Sequence, residues 1–196
     1  APQERLGGGR LSASRSGYYK ANLNNQFAQR KKTRTDAIRS RQEIAAKAQA
    51  RERNAKLKLS NTLTARADAM VEKGDVAAAV TNYREALKVN PRNANAKLGL
   101  SQAITLQGVE LASTSADEAE VLLTEAVKLD PRNDVAYAKL GEIYDLRGQD
   151  AKAADNYEKA LTIDSGFTSL YLPLALAYVE TGQIAKAETY LAKTEM

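Results

Sequence analysis

The sequence predicts an all-α fold: about four stacked helix-turn-helix units, preceded by a long basic helix and an extended N-terminal arm. Three observations carry this. Between about Thr35 and Gly74 no Gly or Pro interrupts a run of Ala, Arg, Lys, Glu and Gln, all good helix formers. "NPRN" at 90–93 returns as "DPRN" at 130–133, and "DSG" at 164–166 stands at the next corresponding place. A period of roughly 20–50 residues decides an architecture, because each unit buries its apolar face only against its neighbours.

The first element, residues 1–33, carries Gly7-Gly8-Gly9, scattered Ser and Asn, and no helical or alternating apolar period. It reads as a basic arm, extended and disordered unless bound. Leu6, Leu11, Tyr18, Tyr19, Leu23 and Phe27 are sprinkled through it, more large apolar groups than a solvating tail needs. Extended, such an arm reaches on the order of 110 Å. An inert linker is the bland alternative.

Residues 34–59 follow as a long polar basic helix. Asp36 suits its first turn, and Ile38, Ala45, Ala48, Leu57 and Leu63 draw only a thin apolar line. A helix with so little to bury leans on the following domain or on another molecule.

Residues 60–196 form the repeat domain, in units 60–93, 94–133, 134–167 and 168–196. Setting Pro91 at position 32 of a 34-residue unit puts Ala67, Ala79, Tyr83 and Ala86 at positions 8, 20, 24 and 27. In the third unit Tyr137, Leu140, Gly141, Tyr144, Gly148, Ala153, Tyr157 and Ala160 fall on the same pattern, with Ser165 in place of the Pro. The fourth gives Tyr171, Leu174, Ala175, Tyr178, Gly182, Ala187 and Leu191. This pattern resembles the tetratricopeptide repeat family. The resemblance implies a right-handed helical solenoid used for binding proteins. The second unit is six residues too long, with the surplus read around "GVELASTSADE", where Ser115 and Glu118 make an S-x-x-E capping box and start a second helix near Ala116, after a lengthened first helix or loop. The surplus is either a decorated loop for a partner or drift.

Small residues at positions 8, 20 and 27 let paired helices approach closely: Ala67, Ala79 and Ala86, then Ser101, Ala119 and Ala126, then Gly141, Ala153 and Ala160. Large residues at 11 and 24, among them Met70, Tyr83, Ile104, Leu123, Tyr144 and Tyr157, fill the gaps between units. Asn93, Asn133, Asp75 and Asp150 stand where helices begin, and Gly74, Gly148 and Gly182 where first helices end. The fourth unit lacks a capping helix, which leaves Tyr190 and Leu191 near an edge for a partner or further residues to cover.

Composition removes most chemistry. With no Cys and no His there is no thiol nucleophile, disulfide, imidazole base or Cys/His zinc set. Asp117, Glu118 and Glu120 open a helix, where acids favour the dipole without any metal. Gly7-Gly8-Gly9 lacks the Lys-Ser/Thr of a phosphate loop. The expectation is a non-enzymatic protein with no catalytic residues, metal site or cofactor. The absence of an initiator Met and of Cys favours a mature exported protein over a cytoplasmic one; other processing of the chain explains the first residues equally.

Charge is split along the chain. Residues 1–59 carry 15 Lys/Arg and 4 Asp/Glu, and residues 60–196 carry 14 and 20, which leaves +11 and −6 within an overall +5. By resemblance, a partner groove is lined by first helices. In the first unit these offer Asn61, Thr64, Asp68 and Glu72, and in the second Asn95, Leu98, Gln102 and Leu106. The third offers Val135, Lys139, Glu142 and Leu146, and the fourth Ser169, Leu172, Leu176 and Glu180. A known version of the fold clamps chaperone C-termini with two Lys, two Asn and an Arg. Here Thr64, Asp68, Gly99 and Val135 replace four of these and only Lys139 keeps a cation, so a chaperone-tail adaptor is not expected. An acidic, partly apolar groove suits a basic ligand studded with Leu and aromatics. The arm answers that description, so it is read as a tether to a neighbouring protomer or other subunits through Leu11, Tyr18, Tyr19, Phe27, Arg30, Lys31, Lys32, Arg34, Arg39 and Arg41. The same cations and aromatics fit an alternative partner, an anionic polymer or surface: nucleic acid, lipid or cell-wall polymer. Against nucleic acid, the folded body has the wrong sign and no known module.

Overall fold

The computed structural model describes residues 9–194, with side chains for residue 15 and residues 17–194. The chain divides into two units, Ala1–Asn54 and Ala55–Met196. Helix begins much earlier than the sequence predicts. The first helix, α1, runs Gly9–Glu72, so residues 9–33 are helical rather than extended. A missing apolar period shows that no helix face is buried; it does not show that the helix is absent. Pro is missing from this stretch and Gly17 is a lone interruption, costing only about 1 kcal/mol against Ala. Thr33 and Thr35 turn their hydroxyls back onto the carbonyls of Gln29 and Lys31 at 3.0 and 2.9 Å. At 1.5 Å per residue, residues 9–33 span about 37 Å, a third of the reach expected of an extended arm. Asp36 sits well inside the helix, not in its first turn. Leu6 and the side chain of Leu11 lie outside the described residues.

Within Ala1–Asn54 every described side chain is exposed, from Arg15 onward. Arg39 pairs with Glu43 one turn on, at 3.3 Å, an exposed bridge of small energetic weight.

Within Ala55–Met196 the last turns of α1 open the repeats. They continue as α2 (Val76–Val89), α3 (Ala94–Leu111), α4 (Ala116–Leu129), α5 (Asp134–Leu146) and α6 (Asp150–Ile163). A short 3-10 turn (Thr168–Leu170) leads into α7 (Tyr171–Glu180) and α8 (Ile184–Thr194). Helices pair within units as α3 with α4, α5 with α6 and α7 with α8, and between units as α2 with α3, α4 with α5 and α6 with α7. No strand occurs among the described residues. Gly74, Gly148 and Gly182 hold φ of 80, 65 and 73° in the turns from first to second helix, a left-handed conformation that side chains resist. Asp75, Asn93 and Asn133 cap the helices they precede through bonds to the amides of Ala78, Ala96 and Ala136. Two expected caps differ. Asp150 is the first residue of α6, behind Gln149, and Ser115 makes no side-chain cap bond, so the capping box does not form.

The core is built on alanines. Ala67, Ala79, Ala86, Ala119, Ala126, Ala153 and Ala160 are fully buried. Tyr83, Leu123, Tyr157 and Tyr178 fill the spaces that these small residues leave. A Cβ on Gly141 would lie 2.5 Å from the Tyr157 ring, so the hydrogen there is a packing requirement. Leu191 departs from the pattern and stays 39% exposed.

In the second unit the surplus takes the form of a lengthened first helix, one of the two forms the sequence allows. α3 holds 18 residues where α5 holds 13. Against α2 it keeps the ordinary register, with Asn93, Ala96 and Leu100 in the places that Asn133, Ala136 and Leu140 take beside α4. Against α4 it is displaced: Ser101 bonds the Ala126 carbonyl as Ser60 bonds that of Ala86, and a Cβ on Gly108 would meet Leu123, at 2.8 Å. Gly108 thus plays the part of Ala67 and Gly141. The displacement is seven residues, about two turns, so the same helix face serves both neighbours. The spacing from the close-approach residue to its partner is one residue shorter here, Gly108 to Leu123 against Gly141 to Tyr157, which leaves the net six. The extra length lies inside α3 rather than in a loop around residues 108–118.

Candidate functional site

Two polar knots frame the face of the first helices. Asn93 Nδ2 donates to Ser60 Oγ at 2.8 Å and Thr64 Oγ1 at 3.1 Å, and Ser60 Oγ donates to the Ala86 carbonyl at 2.8 Å. The arrangement recurs one unit later. Asn133 Nδ2 donates to Ser101 Oγ at 2.9 Å and Thr105 Oγ1 at 2.8 Å, with Ser101 Oγ on the Ala126 carbonyl at 2.9 Å. All these groups are buried, and no buried side-chain nitrogen or oxygen among the described residues lacks a partner. The knots lock the turns Asn90–Asn93 and Asp130–Asn133 onto α1 and α3, and so fix the surface beside them.

Next to the second knot opens a cleft of about 370 Å³, lined by Val71 of α1, Gln102, Thr105 and Leu106 of α3, and Asp130, Arg132, Asn133, Asp134 and Val135 of the following turn and α5. Three first helices therefore converge on one cavity. Of the expected groove residues it holds Gln102, Leu106 and Val135. Val71, Thr105, Asp130, Arg132 and Asp134 were not read from the sequence. Their one trace in the sequence is the recurrence of "SNTLT" at 60–64 as "SQAIT" at 101–105, which repeats the Ser and Thr of the knot without showing which turn reaches them.

The other expected groove residues are placed as follows. Leu98 stands exposed on α3, one turn before Gln102. Asp68 accepts a hydrogen bond from the Tyr83 hydroxyl at 2.5 Å. Burial first, then the bond and charge of Asp68, push the Tyr83 hydroxyl far up, so it stays a donor at any ordinary pH. Glu72 and Glu180 are exposed. Lys139 and Glu142 pair with each other across one turn of α5, so neither is a free charge. Leu146 is 85% exposed at the end of α5, and Leu172 and Leu176 stand exposed one turn apart on α7. The lining of the cleft includes no residue of α7.

The acids at the start of α4 have a structural task. Glu120 accepts from the Tyr144 hydroxyl at 2.8 Å and pairs with Arg147, which also holds Asp117 at 2.5 Å. The Tyr144 bond, then Arg147, holds the Glu120 carboxyl below the usual glutamate range. These groups tie α4 to α5. Among the described residues no group of three or more acids is placed to hold a metal.

The tether residues all lie on α1. Tyr18 and Tyr19 are 70% and 71% exposed, with rings edge to face at 6.2 Å, and Phe27 is exposed. Arg30, Lys31, Lys32, Arg34, Arg39 and Arg41 are exposed on the same helix.

Residues 67–108 match the family described as TPR repeat and residues 135–167 the one described as Tetratricopeptide repeat, while the N-terminal region matches none. The chain is 32% identical over 119 residues to the BBSome complex member BBS4 of Bos taurus, covering 60% of this chain and 21% of that protein. It is 32% identical over 93 residues to the probable UDP-N-acetylglucosamine--peptide N-acetylglucosaminyltransferase SPINDLY of Hordeum vulgare, covering 47% and 9%. It thus spans about a fifth and a tenth of these relatives. Among solved structures it is similar to a crystal structure of MamA at 27% identity (65% of this chain, 91% of that one, TM-score 0.45). It is also similar to pilF of Pseudomonas aeruginosa at 18% identity (72% and 77%, TM-score 0.45). Over residues 67–108 and 135–167, then, the chain carries tetratricopeptide repeats, and its repeat body is a protein-interaction scaffold.

Proposed function

We propose that this scaffold is non-enzymatic, takes a protein partner on the exposed aliphatic face of its first helices, and is tethered by its basic N-terminal segment. The segment docks on the acidic repeat body of a neighbouring protomer or on another subunit of a larger assembly. The observation that carries the tether is charge opposition: +11 on residues 1–59 against −6 on residues 60–196, with the apolar groups of α1 exposed among those cations. Leu98, Leu106, Leu146, Leu172 and Leu176, all exposed on first helices, support the partner face. Similarity to a protein named as a member of a complex is in keeping with a place in an assembly.

Light-scattering mass of the full chain, against a variant lacking residues 1–33, at low and high salt, tests the tether. Oligomers that either the deletion or salt dissolves support docking between protomers. Monomers throughout exclude it and leave other subunits as the target. A second reading, binding of an anionic polymer or surface, draws on Phe27 standing exposed one turn from Arg30 and Lys31, with Tyr18 and Tyr19 exposed further along the same helix. Anisotropy of labelled single-stranded DNA and sedimentation with anionic vesicles decide it. Salt-sensitive binding lost with residues 1–33 favours that reading, and no binding removes it.

A further inference from the structure

The two knots offer a comparison inside one molecule. The frame is the same at both, and the exposed positions around it differ. Ala65 stands at the first knot where Leu106 stands at the second, and Asn95 where Val135 stands. Ala94 corresponds to Asp134, and Asn90 to Asp130. The last exchange keeps its geometry: Asn90 Oδ1 accepts the Arg92 amide at 3.2 Å, and Asp130 Oδ1 accepts the Arg132 amide at 3.0 Å. The turn therefore has no need of a carboxylate, and the charge at Asp130 is surplus to folding. Apolar and acidic side chains enter together at the second knot, beside a cavity of about 370 Å³.

We propose that this cleft is an anchor pocket for a protein partner that presents an aliphatic side chain next to a Lys or Arg. The aliphatic group seats against Val71, Leu106 and Val135, and the cation lies by Asp130 and Asp134, which outnumber Arg132 on the rim. The two-register packing of α3 shapes the pocket. It sets the Asp130–Asn133 turn against Ser101 and Thr105, beside Gln102 and Leu106, so that residues of α1, α3 and α5 converge. The inference rests on the reading that the first-helix face receives a protein partner, and it specifies the chemistry of one position there.

The probe is acetyl-Gly-Arg-Leu-Gly-amide, titrated into the 15N-labelled full chain and followed by amide shifts, with Arg-to-Glu and Leu-to-Ser versions as controls. The expected result is saturable shifts at Thr105, Leu106, Asp134 and Val135, with both control peptides about fivefold weaker or worse, the scale of an exposed ion pair. Asp130→Asn with Asp134→Asn is expected to weaken the Arg-Leu peptide by a like factor with the melting temperature retained, since Asn already serves at position 90. Equal binding of the Glu version, or loss on Arg132→Gln instead, overturns the assigned charge. Shifts confined to Leu98, Leu172 or Leu176 overturn the cleft and leave the partner face standing. No shift on any first helix overturns both. The light-scattering outcome for the tether is independent of all of these.

Discussion

The second and third repeats are built from the same helix pair, yet they differ in length by six residues. In the third, α5 meets α4 and α6 in one register. In the second, α3 meets α2 and α4 in two registers seven residues apart. A heptad is close to two turns, so such an insertion leaves a helix facing the same way while moving its partner along the axis. Length within a first helix is therefore a tolerated variable in this array, and it opens a cleft without a loop.

The strongest way to break this comparison is at the close approaches. Gly141→Val is expected to cost about 3 kcal/mol or more in urea unfolding, because the Tyr157 ring is packed on every side. Gly108→Val is expected to cost somewhat less, against the more adaptable Leu123. A neutral Gly108→Val would return α3 to a single register. The knots come next. Asn93→Ala and Asn133→Ala each remove a cap and two bonds donated to buried hydroxyls, which keep only their own bonds to backbone carbonyls, an expected loss of about 2–3 kcal/mol apiece. The two losses should agree within about 0.5 kcal/mol if the frames are equivalent, whereas a clear difference would show that the longer α3 relaxes its knot.

The junction between these units is also pH-sensitive in a stated direction. The Glu120 carboxyl is held below its ordinary range by the Tyr144 hydroxyl and Arg147, so it stabilises the fold above the ordinary carboxylate pKa. That contribution is lost as pH falls through the lower, folded value, below about pH 4. Glu120→Gln is expected to lower the melting temperature by a few degrees at pH 7 and to flatten its decline on the acid side. Parallel acid limbs for parent and variant would remove Glu120 from the junction's energetics. The smallest effect is at the caps. Asp75→Ala should cost about 1 kcal/mol and Ser115→Ala almost nothing, because only the first makes its bond. A loss at Ser115 equal to that at Asp75 would restore the capping box.

Much of the fold is legible in the sequence because its causes are local. Gly74, Gly148 and Gly182 mark turns by a conformation that only Gly adopts freely, Asn93 and Asn133 mark helix starts, and buried alanines recur at fixed spacing. The extent of α1 was misread because helix propensity acts without any apolar period. The candidate site was legible in part. Of the expected groove residues, Gln102, Leu106 and Val135 line the cleft, and Leu98 stands exposed one turn before Gln102. Asp130, Arg132 and Asp134 were invisible, because which turn reaches which stretch of α3 depends on a contact across 25 to 32 residues, as between Ser101 and Ala126 or Asn133.

By itself the sequence determined an all-α repeat body, its punctuation, its small-residue core and a basic segment opposed to an acidic body. These follow from spacing, propensity and charge, each a property of residues near one another in the chain. Only the tertiary structure decided that α3 serves two registers, that Glu120 and Asp117 belong to Arg147, and that three first helices meet at one cleft. Each depends on which side chain is close enough to be excluded or bonded across a helix pair, and van der Waals exclusion at 2.5 to 2.8 Å, as at Gly141 and Gly108, is settled in space alone.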